Sequence, residues 1–506
     1  MSGTSGSAAA PPAAAIFRPH LYFALAGVFI IFALPLLAVP FTRDQGIYGY
    51  VGWRWLSGGL PYRDAFDHKG PALYLIYALG VWLAGGSAWG VNLLDILARA
   101  SAVLLTGRAA ARAAGERAGL FAAVLTGLPL LGIYNFMWWS GQAETFMLPM
   151  LAGSTLLALR GRRRDLVASG MLSGLAVLTK LTGALHLWLP FWLAACAGPG
   201  TARRLVPAGW FGLGLALGVM PVLSYFAVAG ALGDLFEVYV VFNLFHSGSF
   251  FGGGDPPGGG FWMVFFLLPA LTPFLAAGPG VGQSRQGALF LGFWLIESLA
   301  QVVGQGKFFL YQWAALVPAM GAAAGAGLAG IERLVSRGTE RTWVKRAAYA
   351  LLIFFTVGYG RYYFRLEEAM GVRAYLSGAL TRTEFYYNFA TEDFKLAYQT
   401  AAADLIRSAT AADDVVLVFG FDPLVNLLSG RPAPGRFMVR YPLTFHPGSG
   451  GAASKRERWR AEFLEDLRSR PPPPVPPPAP GPKPRAPPDP HEGPQKLPPL
   501  FARVPT

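Results

Sequence analysis

The chain has 506 residues, 53% of them hydrophobic and 14% charged, with a formal net charge of +14 at neutral pH. Soluble domains carry about 25% charged residues, whereas here only 36 charged residues serve the first 360 positions and 34 crowd into 361–506. That distribution excludes a soluble enzyme, a fibrous protein and a chain disordered throughout, and it predicts an all-α polytopic membrane protein with a polar C-terminal part. One cysteine, Cys196, leaves no disulfide framework and no CxxC metal site. The positive charge sits in short arginine clusters between apolar runs, which points to membrane topology rather than to a nucleic-acid partner.

Residues 1–20 open with a small, proline-containing, uncharged stretch that lacks the basic start of a signal peptide, and are read as a disordered cytoplasmic tail. Apolar runs then predict spans at 21–40, 88–106, 117–134, 143–159, 166–180, 182–198, 206–229, 261–279, 287–304, 308–330 and 347–360. A further run, 71–86, is short for a span and follows a polar loop. If it does not cross, the basic connections all fall on one side: Arg108, Arg112 and Arg117; Arg160 and Arg162 to Arg164; Arg203 and Arg204; Arg285; and Arg333, Arg337, Arg341, Lys345 and Arg346. The opposite loops 135–142 and 230–260 contain no lysine or arginine. The positive-inside rule then makes the basic side cytoplasmic. It gives about 11 transmembrane helices, places 71–86 at the interface, and puts 41–87 and 361–506 outside. The expected location is a bacterial-type cytoplasmic (inner) membrane.

From 361 the composition turns polar. Residues 391–409 have helical spacing, and Val415 to Phe421 read as a buried strand followed by a short apolar helix, so 361–470 is expected to be an external α/β region. The last segment, 471–506, holds 17 of the 41 prolines and is read as a disordered, polyproline-like tail.

The chemistry concentrates in the first long loop, 41–87. Asp44 follows the first span directly, where a group from the water phase meets a lipid headgroup. Residues 46–57 place Tyr48, Trp53 and Trp55 among small residues, as an interface-lying helix does. Asp64, Asp67, His68 and Lys69 then crowd in before Gly70-Pro71. The plain alternative is ordinary loop polarity with an aromatic belt, but the charge density stands out in a chain otherwise starved of charge.

This order of features resembles the first loop of bacterial GT-C type glycosyltransferases, the group that includes protein O-mannosyltransferases and the lipid A aminoarabinose transferase: an acid after helix one, an aromatic amphipathic segment, Gly-Leu-Pro-Tyr-Arg-Asp, then Asp-His-Lys-Gly-Pro. WWSGQAETFMLP at 138–149, GLAVLTKLTG at 174–183, KFFLYQWAALVPAMGAAAG at 307–325 and VVLVFGFDPLVNLLSGRPAPGRF at 415–437 agree in order. The resemblance implies the GT-C fold. It also implies transfer of a sugar from a polyprenyl-phosphate carrier to a glycan, lipid or protein acceptor on the outer face, usually with inversion. The loop acid, catalytic base or acceptor-orienting group, maps onto Asp44. Many members have Asp-Glu where this chain has Asp44-Gln45. Their Lys-Pro-Pro motif, which places a lysine near the carrier phosphate, is Lys69-Gly70-Pro71 here.

The residues support that chemistry independently. A carboxylate can take the acceptor's hydroxyl proton, and a phosphate leaving group needs cations more than an acid. Lys69 and Lys307 are the candidate cations, with Arg43 a weaker one. Lys180 lies at an outer helix end and either snorkels outward or meets a phosphate or acid inside the bundle. Glu144, after Trp138, Trp139 and Gln142, either supports catalysis or serves the helix dipole. Asp67 and His68 are candidate substrate-binding groups. A divalent metal on His68 and His246, with Asp67, is the one cofactor weighed, and sequence spacing gives it no support. Arg431 and Arg436 either reach carrier or acceptor or face solvent. The rival reading is a transporter or flippase for a lipid-linked glycan, which needs opposed gates and charges within spans. A scaffold whose external part binds a partner is a third.

Overall fold

The computed structural model describes residues 19–132, 140–196, 201–244, 285–306, 308–336, 371–390, 394–444 and 451–474, with Trp343, Arg346, Ala350 and Ile353. All of the expected span 261–279, nearly all of 347–360, the two tails apart from Pro19, His20 and 471–474, and about half of the loop 230–260 lie outside these residues.

The chain enters through α1 (Pro19–Ala33), which tightens into a 3-10 turn at Leu34–Ala38. The first loop holds α2 (Arg43–Leu56) and α3 (Pro71–Leu83). The bundle continues with α4 (Trp89–Ala114), α5 (Glu116–Gly132), α6 (Ala143–Arg160) and α7 (Arg163–Thr179). A 3-10 turn (Leu181–His186) leads into α8 (Trp188–Cys196), followed by α9 (Thr201–Val228) and the short α10 (Leu232–Leu235). After the undescribed stretch come α11 (Arg285–Val303), a 3-10 turn (Leu310–Leu316) and α12 (Val317–Ser336). Among the described residues, four segments are long and apolar enough to cross a membrane: His20–Ala38, Trp89–Ala114, Leu205–Val228 and Tyr311–Arg333. Pro71–Leu83, Leu181–Cys196 and Gly287–Val303 are shorter apolar helices.

The contacts sort the helix ends into two groups. At one end Tyr22 Oη donates to Glu116 Oε2 (2.8 Å), Arg112 Nε to the Leu159 carbonyl (2.8 Å) and Arg333 to the Ala114 carbonyl (3.4 Å). At the other end the start of α6 meets the start of α4, the end of α7 and the residues after α11. Arg112, Arg333 and Arg117, which pairs with Glu332, thus lie at one end.

Three expectations are modified. The second span runs on to Ala114 instead of stopping at 106, because Ala-Ala-Ala-Arg-Ala-Ala continues a good helix until Gly115, whose φ of +98° ends it. Residues 46–57 form a helix as expected, but one that the rest of the chain covers along most of its length. Its glycines admit neighbours at van der Waals range: a Cβ on Gly46 would meet Leu424 at 2.7 Å, on Gly49 Leu427 at 2.9 Å, and on Gly52 the Ala78 backbone at 2.7 Å. Finally, no strand occurs among the described residues. Val415 to Val418 belong to no regular element, and the Val416 amide donates to the Pro432 carbonyl (2.8 Å) and joins no ladder. The region after 371 is instead built from short helices α13 (Val372–Leu376) and α14 (Arg382–Tyr387), then α15 (Leu396–Ala409), α16 (Pro423–Ser429), α17 (Tyr441–Thr444) and α18 (Gly451–Ser469).

The bundle interior carries fixed polar pairs. Arg99 and Asp95, one turn apart on α4 and both fully buried, are 2.7 Å apart, with Arg99 also donating to the Leu130 carbonyl at 3.0 Å. His186 and Glu297, also fully buried, are 3.0 Å apart. The helices α7 and α9 cross almost backbone to backbone: a Cβ on Gly214 would lie 1.9 Å from the Val167 carbonyl, and one on Gly170 2.0 Å from that of Phe211. Small residues of this kind let membrane helices pack by direct contact, where no hydrophobic force drives them together.

Candidate active site

The site is built at the end of the bundle away from the arginines. Asp44 is held by the start of α2. Thr42 caps that helix and its amide donates to Gln45 Oε1 at 2.9 Å, a capping box. Gln45 also donates to Asn92 Oδ1 (3.4 Å), which in turn accepts from Ser140 (3.1 Å). Asn92 donates to the carbonyls of Leu36 and Val39. The departure from Asp-Glu to Asp-Gln therefore has a local use. Gln45 is wholly buried and both donates and accepts, whereas a carboxylate only accepts.

Asp44 remains partly open, its side chain 21% exposed, with Arg43 Nε 3.7 Å away. Gln142, the residue before α6, donates to Asp44 Oδ2 at 3.4 Å. Two residues on, Glu144 is buried and accepts from Lys180 Nζ; the same ammonium donates to Gln305 Oε1 at 2.6 Å and lies 5.8 Å from the centre of the Tyr311 ring. Lys180 is placed there because α7 stops at Thr179 and Lys180 turns extended. Of the two readings of Lys180, the structure gives the one that meets an acid inside. Glu144 Oε2 has no hydrogen-bond partner among the described residues. The charges of Asp44 and Lys69 both reach Lys180, and those of Asp44, Glu144 and Arg43 reach Tyr311.

Lys69 comes from the loop between α2 and α3. Its Nζ is 3.0 Å from His68 Nε2 and 5.6 Å from the centre of the Tyr48 ring. With the lysine donating to Nε2, His68 carries its proton on Nδ1 and donates to Tyr441 Oη (2.8 Å); Tyr441 donates to Asp67 Oδ1 (3.2 Å) and Tyr74 to Asp67 Oδ2 (2.7 Å). Burial opposes ionisation of Asp67, but the nearby Nδ1–H of His68, the Lys69 ammonium and the Tyr74 hydroxyl outweigh it and hold the carboxyl well below its usual range. Burial and the Asp67 charge keep the Tyr441 phenol protonated, able to donate. The loop backbone is pinned as well: Gly70 N donates to the Thr179 carbonyl (3.1 Å) and Asn243 to that of His68 (2.6 Å).

The C-terminal region closes one wall. Phe421 lies 6.0 Å from the Arg43 guanidinium, and Asp422, its carboxyl raised by burial, feels the Arg43 charge. Ala433 N donates to Tyr50 Oη (2.9 Å) and Phe66 N to the Arg436 carbonyl (2.8 Å).

Of the predicted residues, Asp44, Glu144, Lys180 and Lys69 come together, with Arg43 at the side and Asp67 and His68 behind Lys69. Lys307 and His246 lie outside the described residues. His68 does not fit a metal ligand, since both ring nitrogens are engaged, and no group of three metal-ligating side chains occurs among the described residues. Arg431 is spent on the carbonyls of Ser429, Arg407 and Thr410, and Arg436 on Glu462 and the Tyr62 carbonyl. Sequence reading passed over Tyr441, Gln305 and Tyr311. Tyr311 and Gln142 stand inside motifs quoted for the resemblance, but nothing local marks Tyr441, which reaches Asp67 across 374 positions.

Comparison with known proteins bears on this arrangement. Residues 68–243 match the family model described as dolichyl-phosphate-mannose-protein mannosyltransferase. No curated protein sequence matches the chain. Among solved structures, ArnT from Cupriavidus metallidurans bound to undecaprenyl phosphate superposes with a TM-score of 0.55 at 18% identity, covering 82% of this chain and 85% of that one. The apo form of the same protein gives 0.44 at 20% identity, with 82% and 84% covered. The oligosaccharyltransferase AglB from Archaeoglobus fulgidus gives 0.46 at 13% identity, with 89% and 69% covered. Residues 68–243 thus carry the mannosyltransferase family pattern, and over 82% of its length the chain, a helical membrane protein, has the GT-C fold seen in ArnT.

Proposed function

We propose that this protein transfers a sugar from a polyprenyl-phosphate carrier to an acceptor on the outer face of the cytoplasmic membrane. The observation that carries the reading is one end of the bundle that holds a partly open carboxylate, Asp44, bonded to Gln142, together with two amines: Lys180, bonded to Glu144, and Lys69, whose neighbour Gly70 is bonded to Thr179.

Asp44 would take the proton of the acceptor hydroxyl as that oxygen attacks the anomeric carbon. The bond to the carrier phosphate breaks on the opposite face of the sugar, so the anomeric configuration inverts. The departing phosphate already bears charge and asks for cations. Each lysine has three N–H donors. Lys180 gives two to Glu144 and Gln305 and Lys69 one to His68, so both keep donors for phosphate oxygens. Glu144 holds Lys180 charged and offers its second oxygen to a sugar or acceptor hydroxyl. Asp67 and His68 orient Lys69 and do not touch substrate. ArnT is a structure with undecaprenyl phosphate bound, which supports a lipid phosphate as donor here.

The deciding measurement follows polyprenyl-phosphate sugars by mass spectrometry in membranes expressing wild type or Asp44→Asn. Consumption of one carrier by wild type alone supports the transferase and names its donor. Equal consumption by both removes Asp44 as base. A transporter, by contrast, tolerates the substitution and leaves the sugar–phosphate bond intact.

A further inference from the structure

At the arginine end of the bundle, one α7 length from Lys180 and so about 25 Å away, lies an open hollow of about 540 Å³ lined by Arg162, Arg163, Arg164, Val167, Trp210 and Leu213. Among the described residues neither Arg162 nor Arg164 makes an ion pair, and the neighbouring Asp165 is buried and turned towards Arg160, 4.0 Å away. Arg163 is laid flat on the Trp210 ring, 3.6 Å from its centre. All three arginines are exposed. The apolar lining does not stop at the hollow. Leu213 begins a row with Leu217 and Met220, spaced four and three residues apart on α9, and all three are exposed. That row leads from the arginines towards the opposite end of the bundle.

A cationic hollow that opens onto an exposed apolar stripe matches an amphiphile with an anionic head. We propose that Arg162, Arg163 and Arg164 with Trp210 bind the phosphate of an anionic phospholipid, whose acyl chain lies along Leu213, Leu217 and Met220. Arginine presents a planar fork suited to phosphate oxygens. Trp210 holds one fork in place, and the three positive charges select an anionic head over a zwitterionic one. The site is separate from the transfer chemistry and stands whether or not that chemistry is as proposed.

The test is native mass spectrometry of the purified full chain with added phosphatidylglycerol or phosphatidylcholine. Basic side chains near an anionic surface contribute about five-fold each in affinity. The double variant R162Q/R164Q, which removes no side-chain hydrogen bond or ion pair among the described residues, should therefore bind phosphatidylglycerol roughly 25-fold more weakly, with phosphatidylcholine binding unchanged. R468Q, which removes a positive charge from α18, should leave both unchanged. A photoreactive phosphatidylglycerol should label wild type within 205–220. Equal binding of the two lipids, no loss in the double variant, or label confined to other segments overturns the proposal. So does displacement of the lipid by inorganic phosphate at matched concentration, which would make the hollow a plain phosphate site.

Discussion

Lys180, the residue that ends α7, sets its ammonium on the carboxylate of Glu144 in the first turn of α6. Both are largely buried, so each is the other's compensation. Removing one partner of a buried pair costs about 3–5 kcal/mol, while replacing both with apolar groups of similar volume is often neutral. Lys180→Met should accordingly lower thermal stability in detergent, and adding Glu144→Leu should restore most of it. Neither variant should turn over a lipid-linked sugar. Recovery of activity in the double variant would show that the pair serves packing alone.

Asp44 and its neighbour Gln45 should separate chemistry from structure. Loss of a general base typically lowers rate by about 10²–10⁴-fold, so Asp44→Asn should reduce turnover by that order with normal expression and unchanged stability. Gln45→Ala removes half a capping box and the link to Asn92, and should cost about 1 kcal/mol of stability while leaving measurable turnover. Parallel thermal melts and single-turnover assays on the two variants check this. Equal loss of activity in both would place the second residue in the chemistry.

Asp67 gives the pH dependence its sign. Its folded carboxyl is held below the ordinary range, so its contribution to stability is full above the unfolded value, near 3.9, and is lost as pH falls through the folded one. The stability difference between wild type and Asp67→Asn should be constant from about pH 5 to 7 and shrink below about pH 4. Denaturation in detergent at a series of pH values measures it. Tyr441→Phe, which removes the donor to Asp67 and the acceptor for His68, should weaken carrier binding more than it slows the chemical step. An unchanged KM would sever Lys69 from this relay.

Gly70 should admit no side chain. A Cβ there would sit 1.9 Å from the Leu178 carbonyl, and the Gly70 amide is already bonded to Thr179. Gly70→Ala must push the Lys69 loop off the end of α7. It should cost about 1–3 kcal/mol, as overpacking does, and lower activity by more than that loss of stability explains. Melting temperature and turnover, measured together, test it. The sequence motif shows a lysine beside glycine and proline; the structure shows why the middle position is small.

That the chain is helical and apolar was legible in the sequence because helix formation and hydropathy are local properties. Apolar runs set where helices form, and charge between runs sets which ends share a side. Asp44, Lys69, Glu144 and Lys180 could be picked out because charge is costly in an apolar chain and so stands out against it. What those residues touch was not legible. The partner of Lys180 lies 36 positions away on another helix, and that of His68 lies 373 positions away in the C-terminal region. The same limit explains the unforeseen burial of α2 and the missing strand. Three glycines at helical spacing look like a weak, surface-lying helix until Leu424, Leu427 and Ala78 are packed against them, and Val415 to Val418 look like a strand until no neighbouring strand is found to pair with. Sequence pattern reports the free-energy cost of leaving a residue where it is. Only the tertiary structure decides which distant group offsets that cost, because the offset depends on distance in space and not along the chain.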